Sequence, residues 1–78
     1  MQITFSEHAC ERMKERFPSI RFMVMGFAIS ANWHKRQPAC RGDERFYVPI
    51  RIGGRNCHAI VSDTGNVITV CDEAMESN

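Results

Sequence analysis

The sequence predicts an α+β domain: a short N-terminal strand, two helices and a three-stranded antiparallel sheet. Three observations carry this. Residues 7–17 place Ala9, Cys10, Met13 and Phe17 on one helical face directly behind Ser6, a good N-cap. Residues 22–31 form an apolar run of helical character. From residue 45 onward apolar and polar residues alternate, and two turn signals, Gly53-Gly54 and Asp63-Thr64-Gly65-Asn66, break the alternation.

Ile3-Thr4-Phe5 reads as the first strand, and the first helix is expected over 7–16. Glu7 suits its first turn, and Phe5 with Cys10 has the spacing of a hydrophobic staple. Pro18 stops it by pushing Phe17 out of the helical region. Ser19 reads as the cap of a second helix over 20–31, which has almost no polar face and so calls for burial on several sides or by a partner chain. Residues 32–44 read as a long loop. The strand beginning at Arg45 carries Phe46, Val48, Ile50 and Ile52 on one face, and Pro49 marks it as an edge. Closing the first hairpin at Gly53-Gly54 sets Ile50 opposite Cys57, Val48 opposite Ala59 and Phe46 opposite Val61. A four-residue second loop sets Val61 opposite Ile68 and Ala59 opposite Val70. Both registers put the apolar residues on one side. The other side then carries Tyr47, Arg51, Asn56, His58, Ile60, Thr69 and Cys71.

With 78 residues and 44% hydrophobic content the chain is one domain, at a size where dimerisation commonly supplements a small core. A homodimer is expected. The domain is placed at 1–71 and an acidic tail at 72–78, because Asp72, Glu73 and Glu76 cluster there. Residues 1–71 hold all 10 basic residues against 6 acidic ones, a net of +4, while the whole chain is +1. Four cysteines without C-x-x-C spacing and without a preceding secretory signal point to free thiols in a reducing cytosol. No apolar run reaches the roughly 20 residues of a membrane span. No cofactor is expected, and a metal set of His8, Cys10, His34 and Cys40 is the weakest of the alternatives.

Ser6-Glu7-His8-Ala9-Cys10-Glu11-Arg12-Met13-Lys14-Glu15-Arg16 resembles the opening of a family of small, largely uncharacterised bacterial and phage domains, Ser-x-His-Ala-x-x-Arg-Met-x-x-Arg. The stretch from Ala59 to Val70 also suits that family, whereas the segment from Trp33 to Glu44 departs from it. The resemblance implies a fold similar in architecture to the RelE and ParE toxins, a helical pair against a small sheet. In size and style the chain is also similar to phage inhibitors of host defence, anti-CRISPR proteins included.

Two functions follow as expectations. In the first, the chain binds and blocks a host protein or nucleoprotein complex in the host cytosol, through Arg12 and Arg16 on the first helix and Arg45, Arg51 and Arg55 on the hairpin, with Tyr47 as apolar anchor. The near-neutral charge and apolar second helix favour it. The alternative is a metal-independent RelE-like ribonuclease toxin. There His8 or His58 would act as general base and Arg12 would stabilise the phosphorane. His8, Arg12 and Arg16 do align at i, i+4 and i+8, although such stripes are commonly solvated helix faces. Tyr47, Arg51 and His58 could hold RNA on the sheet, as could His34-Lys35-Arg36 with Arg41 in the loop. Trp33 is read as an interface anchor or a core residue. Cys57 and His58, adjacent on a strand, point to opposite faces and cannot form a nucleophilic dyad.

Overall fold

A computed structural model describes residues 2–39 and 44–72. The order is β1 (Thr4–Phe5), α1 (Glu7–Arg16), α2 (Phe22–Asn32), a 3-10 turn (Trp33–Lys35), β2 (Gln37–Pro38), β3 (Arg45–Ile52), β4 (Arg55–Ser62) and β5 (Asn66–Asp72). The expected meander β3-β4-β5 is present, but the sheet has five strands rather than three, in the order β1-β5-β4-β3-β2. β1 joins β5 in parallel, pairing Thr4 with Asn66 and Phe5 with Val67. β2 pairs with the first half of β3, Gln37 with Tyr47 and Pro38 with Phe46. The edge character assigned to β3 therefore applies only beyond Tyr47, where Pro49 and its missing N–H fall. Part of the stretch read as a loop is thus ordered; Cys40 and Arg41 lie outside the described residues.

The first hairpin has the predicted register, with Ile50 opposite Cys57, Val48 opposite Ala59 and Phe46 opposite Val61. Gly53 and Gly54 both have positive φ, 58° and 76°, as a two-residue turn of this kind requires. The second hairpin differs. Gly65 takes φ 91°, its N–H bonds to the Ser62 carbonyl, and the loop closes on three residues instead of four. Val61 then pairs with Val67, not Ile68, and the ladder resumes at Ile60–Thr69 after a bulge. The bulge changes the alternation, so Val67 and Val70, three apart, both lie in the core.

Ser6 joins the two layers. Its Oγ accepts from the Ala9 N–H at 3.1 Å, which caps α1, and donates to the Ile68 carbonyl at 2.9 Å, at the bulge of β5. Phe5 meets Phe22 edge-on, with centroids 5.1 Å apart, and so ties β1 to α2. At the other end of α1 the Phe17 N–H bonds to the Met13 carbonyl. The Ile20 N–H then bonds to the Phe17 carbonyl. That turn holds Ile20 outside the helix, so α2 starts at Phe22 behind Arg21, without a side-chain cap, and Ser19 does not cap it.

Both helices pack on one face of the sheet. Ala9, Met13 and Phe17 from the α1 segment and Met25 and Ile29 from α2 meet Val48, Ile50, Cys57, Ala59, Val61, Val67 and Val70. Burial of this apolar surface is the main stabilising term. α2, however, buries only one side. Phe22, Met23, Val24 and Phe27 remain exposed. No helix among the described residues is long and apolar enough to cross a membrane.

Candidate functional site

The arginines picked out from the sequence divide into two groups. Arg16 ends α1, while Arg51 and Arg55 flank the β3–β4 turn, so all three lie at one end of the molecule; only Arg55 meets Arg16, and Arg51, opposite Asn56, is on the sheet face away from the helices. The Arg55 Nη1 donates to the Arg16 carbonyl at 2.7 Å. Arg55 also pairs with the Asp72 carboxylate, and its guanidinium lies 4.3 Å above the Phe17 ring. A cation thus closes the C-terminal end of α1, where the helix dipole is negative. β5 runs to Asp72, so this residue of the acidic segment is a fixed part of the sheet. Arg51 is exposed and donates from Nη1 to Asn56 Oδ1 at 3.4 Å. Arg12 stands one turn before Arg16 and is half-buried.

Arg45 is separate. Six residues from Arg51 along a strand place it about 20 Å away, at the opposite end of the sheet. There it adjoins Glu44, whose pKa is raised by a hydrogen bond it donates to the Asp63 carboxylate, by the Asp63 charge and by desolvation. The field at that end is mixed, not uniformly basic.

Tyr47 and His58 lie on the sheet face away from the helices. Their rings stack with centroids 4.4 Å apart and planes 23° apart. His58 is 3% exposed, so the pair presents a filled surface and not a cleft. His8 is exposed on α1, in the helical layer. The sheet stands between the two histidines, and a reacting phosphate cannot touch both. Cys57 is in the core, opposite in direction to His58. Arg36 folds back over Trp33, 4.8 Å from the ring centroid, and Trp33 packs edge-on against Phe46 at the rim of the core. His34 and Lys35 remain exposed in the 3-10 turn. Among the described residues no cluster of three or more His, Cys, Asp or Glu is arranged to hold a metal, and Cys10 and Cys71 are free thiols.

Sequence reasoning missed the Arg55–Asp72–Phe17 arrangement, because it assigned Asp72 to an acidic tail, whereas Asp72 pairs with Cys57 at the end of β5. It also missed an open apolar groove of about 370 Å³ between β1 and α2, lined by Ile3, Phe5, Phe22, Met23, Gly26 and Phe27. The signal for it was present: α2 contains no charged residue. No family model matches the chain, and neither a curated protein nor a solved structure is similar to it beyond chance.

Proposed function

We propose that the chain is a small phage or mobile-element protein of RelE-like architecture. It acts in the host cytosol by binding and blocking a host macromolecular complex, a defence nucleoprotein being the concrete case. The observation that supports this best is that Arg16, Arg51 and Arg55 all lie at the end of the molecule that holds the β3–β4 turn, Arg51 on the outer sheet face and the other two on the helical side. Arg55 is held by three contacts, and the exposed Arg51, with one long hydrogen bond to Asn56, can reach an anionic surface. The RelE-like reading rests on the helical pair over an antiparallel meander. The ribonuclease alternative fits less well, since His58 is buried against Tyr47 and His8 stands on an exposed helix face, so neither candidate base lines the groove the structure holds.

Charge reversal tests this. Arg51→Glu is expected to abolish inhibition of the target complex and its capture, while leaving the folding free energy within about 1 kcal/mol, because an exposed side chain contributes little to stability. Undiminished inhibition by a folded Arg51→Glu variant would overturn the proposal.

A further inference from the structure

We propose that the exposed face of α2, together with the groove beside β1, is the interface of a closed two-fold homodimer. The surface is self-complementary. Phe27 and Met23, each 71% exposed, stand out as knobs, and the groove over Gly26 and Ile3 lies directly beside them. A two-fold contact needs both features on one patch, since each copy then supplies the knob for the other's groove. Phe27 is also near the middle of the Phe22–Asn32 helix, where an axis relating two antiparallel copies would pass.

Charge points to the same occupant. Neither α2 nor the groove lining carries a charged side chain, so nothing there selects an acidic or basic partner. Arg21 sits at the N-terminal end of α2, the positive end of its dipole, with no acidic residue in the first turn. Antiparallel packing would bring each Arg21 beside the C-terminal end of the partner helix, where a cation is favoured.

The area is sufficient. Phe22, Met23, Val24 and Phe27 are 38%, 71%, 46% and 71% exposed. At about 150–250 Å² for a fully open large side chain, they present on the order of 400–500 Å² of apolar surface, toward the upper end for a monomer. Two copies with their rims reach about 1,000–1,200 Å², the threshold of a specific interface. The groove contains none of Arg16, Arg51 or Arg55, so this inference stands apart from the proposed function.

Light scattering on the purified full chain, across concentrations from low to high micromolar, tests it. The expected mass is twice 9.0 kDa, falling toward 9.0 kDa on dilution. Phe27→Glu is expected to weaken the dimer by roughly 100-fold or more, because both central anchors are lost, with the circular dichroism spectrum unchanged. Gly26→Ala provides a second reading. An added Cβ would lie 3.8 Å from Ile3, ordinary contact, so the monomer accepts it and gains helix propensity while the groove floor rises. It should therefore raise the melting temperature of the dilute monomer and weaken association. A wild-type mass of 9.0 kDa at every concentration, a Phe27→Glu variant as dimeric as wild type, or open-ended growth beyond the dimer would each overturn the proposal.

Discussion

Arg55 shows how one side chain can serve two layers. It donates to the last carbonyl of α1, covers Phe17 and neutralises Asp72 on β5. Arg55→Ala is expected to cost about 1–2 kcal/mol, a range already reduced for the 39% exposure of the side chain. Arg51→Ala, a few residues away with one long hydrogen bond, should change stability by less than about 0.5 kcal/mol. Urea denaturation of both variants checks the contrast, and equal losses would contradict it. Glu44 makes a pH-dependent statement. Its hydrogen bond with Asp63 and the Asp63 charge raise its pKa in the folded chain. A raised carboxyl pKa adds stability below the ordinary carboxylate range and loses it as pH rises through the raised value. Glu44→Gln should thus be more thermostable than wild type near neutral pH, and the difference should disappear in acid. Melting curves over pH 3–8 would show it; a pH-independent difference would contradict it.

At the scale of elements, Ser6 decides where the helical layer meets the sheet. Removing its hydroxyl leaves the α1 start uncapped and the Ile68 carbonyl without that donor. Ser6→Ala is expected to cost about 1.5–2 kcal/mol, more than an average cap, as read by chemical denaturation. A loss of only a few tenths would mean that the Ile68 bond contributes nothing. The sequence made the cap visible, because Ser6 precedes a clear helical face. It made the β3–β4 register visible too, because two glycines leave only one tight closure. The second hairpin was not readable to the same depth. Whether Gly65 or Asn66 ends that loop depends on a backbone angle, and the choice moves Ile68 out of the core and Val67 into it. Thr4–Phe5 was readable as a strand but not as a member of the sheet, and Gln37–Pro38 was read as loop. Thr4–Phe5 and Gln37–Pro38 are too short for alternation to show, and their partners are 62 and about 10 residues away. The start of α2 was misplaced because Ser19 has the chemistry of a cap, while the Ile20 N–H bond to Phe17 overrides it.

For the whole molecule, the core is one layer between the helical pair and a single sheet face. Val48 is fully buried at its centre, and Thr69 points the other way. Val48→Asp should unfold the chain, since an unpaired buried carboxylate costs several kcal/mol and a domain of this size has only about 3–5 kcal/mol to lose. Thr69→Asp should stay folded, as followed by circular dichroism; the reverse outcome would mean the faces are exchanged. The candidate site was only partly legible at this scale. The sequence identified the arginines, but only the topology separates Arg45 from Arg16, Arg51 and Arg55. It likewise offered His8 and His58 as alternative bases without showing that a sheet divides them. The most direct test of the binding account is to incubate the purified wild-type chain with total RNA and with translating ribosomes. The account predicts intact RNA in both, alongside inhibition of a host complex that Arg51→Glu abolishes. Reproducible cleavage that His8→Ala or His58→Ala eliminates, with the fold intact, would contradict it.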